Sequence, residues 1–216
     1  MRGVALLPLV GLAVGVAAPR AARADADEAS IDVHLVGGLA RAADADAAGD
    51  EVASAPLAGL TGRVSYATRD WLQYEAALTF AGTAAASYGM GTFTPPGRPP
   101  ATGPFSLSTQ MTRLELGVSV RFGVRLIPTL RVFAGAQGRH RGAATVDLMG
   151  LSTTGRDAEL TFDLVGGAAV GLDYRVNRRT IVGVAVGGTQ AVPLGGPALQ
   201  TLEGYAFWSY YFYPRW

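Results

Sequence analysis

Cysteine is absent from the 216-residue chain. Its absence excludes disulfide bonds, zinc–thiolate sites, cysteine nucleophiles and lipid attachment at a cleaved cysteine. Long apolar runs are also scarce, because no stretch of 18 uncharged apolar residues follows the N-terminal segment. Yet 49% of the residues are hydrophobic and the mean hydropathy is +0.23. A membrane helix needs about 20 such residues, so the apolar content must be organised in another way.

Net charge is small as well, at +1, and the basic residues are dispersed along the chain. A nucleic-acid-binding surface requires clustered positive charge, so we predict no nucleic-acid partner. The chain contains no phosphate-binding loop and no clear pair of catalytic carboxylates. We therefore predict neither a cofactor nor a metal site.

The N-terminal segment has the pattern of a secretory signal peptide. A basic start at Arg2 precedes apolar residues 4–18, and Ala22-Arg23-Ala24 forms a small-x-small cleavage site before an acidic stretch. The alternative is a membrane anchor, but about 15 apolar residues are too few to span a bilayer as a helix. We predict a signal peptide at residues 1–24 and one mature domain at residues 25–216.

The C-terminal residues 200–216 alternate with a period of two, which is the signature of a β-strand. One face carries no charge and is rich in aromatic residues, as expected of the interfacial girdle of a transmembrane barrel. The other face carries the charged residues of this segment. The aromatic residues of the uncharged face are Trp208, Tyr210, Phe212 and Trp216.

The same period-two alternation recurs along the chain and predicts eight strands in all. Their apolar faces contain no charged residue, as contact with lipid requires. The seventh strand is small or apolar on both faces, so its register is not determined. The predicted strands lie near residues 31–39, 60–66, 72–80, 113–122, 130–139, 159–174, 181–187 and 200–216.

Connections between these strands alternate in length. Short turns are predicted at residues 67–70, 123–128 and 175–179, and long loops at residues 41–54, 81–107, 141–157 and 188–198. This pattern predicts an all-β, eight-stranded antiparallel up-and-down transmembrane β-barrel, with its short turns and both termini in the periplasm. A soluble lipocalin-like barrel or sandwich is the alternative, but its outer surface would carry far more lysine and glutamate.

The chain resembles the small eight-stranded outer-membrane barrels of the OmpA and OmpX type. The features that carry this resemblance are the signal peptide, the four predicted hairpins and the aromatic final strand. The resemblance covers the mature chain and implies the outer membrane of a Gram-negative-type bacterium. It implies contact with outer-membrane lipid and lipopolysaccharide, and a monomer. In that family the barrel-assembly machinery reads the final strand, so Tyr210, Phe212 and Trp216 are the expected assembly signal.

Charged residues of the opposite strand faces are expected inside the barrel. Eight strands leave an interior that side chains just fill, and buried charge is tolerated when it is paired. We predict a closed ion network, with Glu75 near Arg113 or Arg121 and Asp32 near Arg215. Its predicted members are Asp32, Arg63, Glu75, Arg113, Glu115, Arg121, Arg131, Asp163, Glu203 and Arg215.

Three functions follow from this organisation. The first is a non-enzymatic barrel with a structural or surface-interaction role through its long loops, and the second is a narrow transporter that resembles OmpW-like barrels. The third, more distant, is a lipid A-modifying enzyme. Such a deacylase places His and Ser two residues apart, whereas His140 is followed by Arg141 and Gly142. We therefore predict no catalytic residue.

Two loop segments carry further expectations. Arg139, His140 and Arg141 form a basic cluster at the rim, where guanidinium groups suit a lipopolysaccharide phosphate. Residues 44–51 partly match a calcium-binding loop, but Ala48 and Ala55 occupy positions where that loop needs oxygen ligands. We predict that this segment is a solvated acidic loop.

Overall fold

The computed structural model describes residues 27–44, 46–94, 100–148, 151–194 and 198–213. The predicted signal peptide, Arg215 and Trp216 lie outside the described residues. Within the described ranges, no helix has both the length and the apolar character needed to cross a membrane.

Twelve β-strands and one short 3-10 helix, Ala48–Asp50, form in the described part of the chain. In chain order the strands are β1 (Ala29–Ala43), β2 (Val52–Arg69), β3 (Leu72–Thr83), β4 (Ala86–Phe93), β5 (Ala101–Leu107), β6 (Thr109–Arg121), β7 (Leu126–Arg141), β8 (Ala144–Leu148), β9 (Leu151–Arg156), β10 (Glu159–Arg175), β11 (Thr180–Pro193) and β12 (Leu199–Phe212).

Eight of these strands close into an antiparallel barrel in the order β1-β12-β11-β10-β7-β6-β3-β2. The first and last strands complete the ring, in register from Ala29 opposite Phe212 to Ala42 opposite Leu199. The predicted eight-stranded up-and-down barrel is therefore confirmed. We call the end with the β2–β3, β6–β7 and β10–β11 turns the turn end, and the opposite end the extended end.

The barrel is inside-out relative to a soluble protein, because its large apolar side chains face outward. Leu35 and Leu116 are 64% and 66% exposed, whereas Asp32 and Glu115, which point inward, are each 1% exposed. The alternation predicted these faces strand by strand. In β11 the structure supplies the missing register: the valines of that strand point outward. They are Val182, Val184, Val186 and Val192.

Four additional strands lie beyond the extended end and form a second sheet in the order β4-β5-β8-β9. We call this sheet the cap sheet. Each cap strand is next in sequence to one wall strand, and the cap order matches the order β3-β6-β7-β10 of those wall strands. The cap sheet therefore prolongs half of the barrel wall. The predicted long loops at residues 81–107 and 141–157 are therefore wrong in their described parts, which form strands. An alternating apolar pattern runs through part of each connection, at Phe105 and Leu107 in the first and at Ala144 and Val146 in the second, and all four residues are buried.

A small hydrophobic core holds the cap sheet in place. Tyr88 stacks on Phe105 with ring centroids 4.6 Å apart, and Phe93 meets Phe105 edge-on at 5.0 Å. Ala144 and Val146 are fully buried beside them. Small residues complete this core, namely Ala47 in the connection between β1 and β2 and Ala53 and Ala55 at the start of β2. The barrel mouth is thus covered on one side by packed structure.

Candidate functional site

The centre of the barrel lumen is filled by paired charges. Arg63 Nε lies 2.6 Å from Asp32 Oδ2, and its Nη1 is 3.4 Å from Glu75. Arg131 bridges two carboxylates, at 2.5 Å from Glu75 and 2.8 Å from Glu115. Alternation turns all five side chains inward from five different strands. Because every carboxylate faces at least one guanidinium, the low-dielectric interior holds compensated charge.

Toward the extended end, Arg113 spans the lumen from β6 to the opposite wall at β12. Its two terminal nitrogens donate to the two oxygens of Glu203, at 2.9 and 2.8 Å. The same guanidinium also pairs with Glu115 on its own strand. Thr201 and Tyr205 donate hydrogen bonds to Glu203. This bidentate pair therefore occupies the middle of the channel that a pore would need.

Further pairs lie above and below this level. Arg139 Nη2 is 3.3 Å from Asp163, which also accepts a hydrogen bond of 3.3 Å from Gln137. Near the turn end, Arg121 approaches Asp173 at 3.9 Å. All of these side chains are buried. The ion network therefore extends along the barrel axis rather than forming one layer.

The turn end is closed by Glu28, the residue just before β1. Its side chain is fully buried, lies 3.4 Å from Arg175 and accepts a hydrogen bond of 3.3 Å from the Tyr213 hydroxyl. Next to it, Asp27 accepts a hydrogen bond of 2.7 Å from Tyr66. The start of the described chain therefore folds across the barrel opening.

A cavity lies in the lumen, between its central charges and the turn end. Its volume is about 40 Å³, and its lining includes His34, Glu75, Arg121 and Asp173. At 10 to 15 Å³ per water centre, it has room for roughly three water molecules. The ring of His34 stacks on Phe207 at a centroid distance of 4.7 Å. The cavity suits hydration rather than a solute.

The predicted pairings within this network are partly wrong. Glu75 binds Arg63 and Arg131, not Arg113 or Arg121, because Arg113 extends across to the far wall. Asp32 binds Arg63 on the neighbouring strand, and Arg215 lies outside the described residues. The lumen is narrow enough for long side chains to cross it. Strand adjacency therefore does not decide the partners.

A second ion cluster lies under the cap sheet and is centred on Asp44. Arg141 pairs with it, and Arg156 lies 3.1 Å from the same carboxylate oxygen. Arg156 also pairs with Asp46, and Arg141 with Glu159. Burial alone would raise the pKa of Asp44, but hydrogen bonds from Arg156 and the Asp46 amide and the nearby guanidinium charges lower it.

This cluster overturns two sequence-based expectations. The segment around Asp44 is not simply solvated, because Asp44 is only 2% exposed and anchors the cap. Arg139 and Arg141 point inward and are also buried, so they do not join His140 on the outer surface. The predicted three-residue rim cluster is therefore wrong: alternation places His140 on the opposite face from its two neighbours.

Sequence reasoning missed several members of these clusters. Glu28 directly precedes β1 and is an even number of residues from Asp32. The alternation of that strand could therefore have predicted that Glu28 points inward. Asp44, Arg156 and Arg175 lie at strand ends or in connections, where alternation gives no direction. Among the described residues, no group of three or more histidine, aspartate or glutamate side chains could hold a metal ion.

Solved structures that are similar to this chain include three bacterial proteins. Ail, the attachment invasion locus protein of Yersinia pestis, was solved with the heparin analogue sucrose octasulfate. It aligns with TM-score 0.48 and 13% identity, over 87% of this chain and 100% of that one. Neisserial surface protein A aligns with TM-score 0.48 and 14% identity, over 84% and 97%. The N-terminal β-barrel domain of Pseudomonas aeruginosa OprF aligns with TM-score 0.41 and 16% identity, over 85% and 97%.

No curated protein matches the chain by sequence. A family model does: the outer membrane protein beta-barrel domain matches residues 7–193. That match covers most of the chain, and it agrees with the closed barrel and its exposed apolar belt. The chain therefore belongs to the outer membrane protein beta-barrel family.

Proposed function

We propose that this protein is a non-enzymatic outer-membrane barrel with a closed lumen, whose role is carried by a folded surface at the extended end. In this proposal the extended end faces the cell exterior, and the short turns and both termini face the periplasm. Transmembrane barrels typically have short periplasmic turns and longer extracellular connections. The turns at one end here join β2 to β3, β6 to β7 and β10 to β11 directly, whereas the cap strands lie at the other end.

The bidentate pair between Arg113 and Glu203 carries the argument for a closed lumen. It crosses from one wall to the opposite wall, and both side chains are only 1% exposed. A hydrated pore through this level would require the pair to separate, which removes the two charge-assisted hydrogen bonds and leaves Glu203 without its guanidinium partner. The cavity of about 40 Å³ lies on one side of the pair and has room for roughly three water molecules.

Histidine placement supports the absence of hydrolytic chemistry. His34 is stacked against Phe207, and its Nε2 has no hydrogen-bond partner among the described atoms. His140 is exposed on the outer face of β7. A serine hydrolase requires a histidine within hydrogen-bond reach of its nucleophile, and neither histidine has that arrangement in the described part of the chain.

The outer face of the cap sheet provides the proposed interaction surface. One row of hydroxyl side chains crosses all four cap strands in register, from Ser87 to Ser106, Thr145 and Thr154. Three of the four are exposed and Ser106 is half-buried. Neighbouring strands are about 4.8 Å apart, so the hydroxyls form an evenly spaced, uncharged array. Such a surface suits hydrogen bonding to polar partners.

Planar-bilayer recording tests the closed lumen. The parent protein, inserted at neutral pH, is expected to show no steady ohmic conductance. A matched variant in which Arg113 and Glu203 are both replaced by Ser removes the crossing pair and is expected to conduct more than the parent. Steady, reproducible conductance of the parent would overturn the proposal and favour the narrow transporter.

A further inference from the structure

The turn end carries arginines that the ion network does not use. Arg125, Arg178 and Arg179 are exposed in the β6–β7 and β10–β11 turns. Among the described residues, none of them forms an ion pair, in contrast to the arginines of the lumen, which face carboxylates. The chain has no lysine, so all 18 residues in its lysine-plus-arginine count are arginines. Its unpaired positive charge at this end is therefore entirely guanidinium.

Two of these arginines are held by tyrosines on the outer wall. Arg125 Nε donates to the Tyr174 hydroxyl at 3.0 Å, with the guanidinium carbon 5.4 Å from the ring centroid. Arg179 Nη1 donates to the Tyr210 hydroxyl at 3.4 Å. In each pair the tyrosine hydroxyl accepts one hydrogen bond from the guanidinium and neutralises no charge. Most N–H groups of each guanidinium therefore stay available to bind another acceptor.

The two arginine–tyrosine pairs are neighbours on the barrel surface. Tyr174 on β10 is opposite Val182 on β11, which in turn is opposite Trp208 on β12. Trp208 lies next to Tyr210, with ring centroids 6.3 Å apart. Two strand spacings separate β10 from β12, so the pairs lie roughly 10 Å apart around the wall. We call the surface formed by Arg125, Tyr174, Arg178, Arg179, Trp208 and Tyr210 the turn-end arginine patch.

Its position identifies the chemical class of its partner. Tyr174, Trp208 and Tyr210 point outward from the apolar belt, where the amphipathic rings of a barrel girdle meet lipid headgroups. The arginines stand just beyond these rings. Among the described residues of β7 to β12, no aspartate or glutamate shares this outward face at the turn end, because Asp173 points inward. The patch therefore combines an apolar platform with uncompensated guanidinium groups.

We propose that the turn-end arginine patch binds the headgroup phosphates of anionic phospholipids in the adjacent leaflet. A guanidinium fork matches phosphate oxygens bidentately and keeps its charge when it is partly desolvated. The three arginines supply this fork at the headgroup level, and the tyrosines hold two of them in position. The binding requires membrane insertion but does not depend on whether the lumen conducts.

Lipid retention measured by native mass spectrometry tests the patch. Refolded protein in detergent is mixed with equal amounts of phosphatidylglycerol and phosphatidylcholine, and bound lipids are counted at low and high salt. The parent is expected to prefer phosphatidylglycerol and to lose that preference as salt rises, since the charges are exposed. Equal binding of the two lipids by the parent would overturn the proposal.

The decisive variant is the triple substitution R125Q/R178Q/R179Q. Each arginine near an anionic surface contributes about five-fold in partitioning, so the triple variant is expected to lose nearly all preference for phosphatidylglycerol. Arg69→Gln is the matched control, because Arg69 is an exposed arginine at the turn-end terminus of β2 and is followed directly by Asp70. Heat-modifiable migration on gels verifies that each variant folds. Preference retained by a folded triple variant, or lost equally in the control, would contradict the proposal.

Discussion

Arg113 and Glu203 connect opposite walls of the barrel although 90 residues separate them in sequence. Their two parallel hydrogen bonds, of 2.9 and 2.8 Å, fix both the position and the orientation of the guanidinium plane. Similar cross-lumen contacts occur at both ends, between Glu28 and Arg175 and between Asp44 and Arg141. The barrel is thus tied across its width at three heights.

Removing one member of the central pair should destabilise the barrel strongly. Glu203→Ala leaves Arg113 with Glu115 as its remaining carboxylate partner, and we expect a loss of about 3 to 5 kcal/mol in the free energy of unfolding. Urea titration of the protein in lipid vesicles or detergent, followed by tryptophan fluorescence, measures this loss.

The double variant R113L/E203L separates charge pairing from packing. Replacing both partners by apolar residues should cost much less than the single change, since no unpaired charge remains and Glu115 keeps Arg131. Asp70→Ala, an exposed acid in the β2–β3 turn, serves as the surface control and should be nearly neutral. A single variant as stable as this control would show that the pair contributes little.

Two glycines in the barrel wall should respond oppositely to the same substitution. A Cβ added at Gly135 would lie 1.9 Å from the carbonyl oxygen of Leu114 on the neighbouring strand, whereas one added at Gly62 meets nothing within 4 Å. Gly135→Ala should therefore cost about 1 to 3 kcal/mol or more through strand displacement. Gly62→Ala should be neutral or stabilise by about 0.4 to 1 kcal/mol. The same unfolding titration compares them, and equal stabilities would contradict the close approach of β6 and β7.

Acid should loosen the cap before it unfolds the barrel. The pKa of Asp44 is lowered in the folded protein, so its carboxylate stabilises the cap above the unfolded value of about 3.9 and loses this effect as pH falls through the folded pKa. Hydrogen exchange in β8 and β9 should accelerate in that acidic window, while exchange in β10 and β11 stays slow. Asp44→Asn should accelerate exchange already at neutral pH.

Asp157→Asn provides the control for this experiment, because Asp157 is exposed at the base of the cap. Its exchange profile should match the parent at every pH. Unchanged exchange in Asp44→Asn would instead mean that the apolar cluster around Tyr88 and Phe105 holds the cap without help from Asp44.

Trp216 remains the predicted assembly signal and lies outside the described residues. Trp216→Asp should reduce insertion into the outer membrane of living cells, because the assembly machinery is expected to read the terminal aromatic. Refolding into detergent in vitro should change much less. Quantifying heat-modifiable protein in outer-membrane fractions against refolded yield separates the two effects, and equal insertion of variant and parent would remove the signal role.

The wall of the barrel was predictable because lipid imposes a rule on every second residue. Leu114, Leu116 and Val118 follow this rule without interruption, and the structure turns all three outward. The faces of strand β11 were harder to predict. Its inward residues Gly183 and Ala185 are uncharged, as are the valines on its outward face, so the sequence does not distinguish the two faces. A Cβ at Gly183 would lie 2.4 Å from the Phe207 ring, so a large neighbour fills the space that this strand leaves.

Partners across the lumen were not predictable from alternation. Alternation says that Glu75 and Arg113 point inward, but the choice between Arg113 and Arg131 depends on strand register and on the length of each side chain. The cap escaped prediction for a related reason. Its strands are short. Asp44 lies in a connection whose acidic composition suggested exposure to solvent. Its partners Arg141 and Arg156 are about 100 residues away in sequence, so no local pattern indicated these pairs.

The seam between β1 and β12 has a consequence for biosynthesis. Its hydrogen bonds join the first and last described strands, so the contacts that complete the ring have nearly the largest sequence separation available. Such contacts form late, after most of the loop-closure entropy has been lost. A chain that stops short of β12 cannot shrink to a smaller ring and leaves two unpaired strand edges. Prematurely terminated products should therefore be recognisable as open sheets, available to aggregation and to envelope proteases.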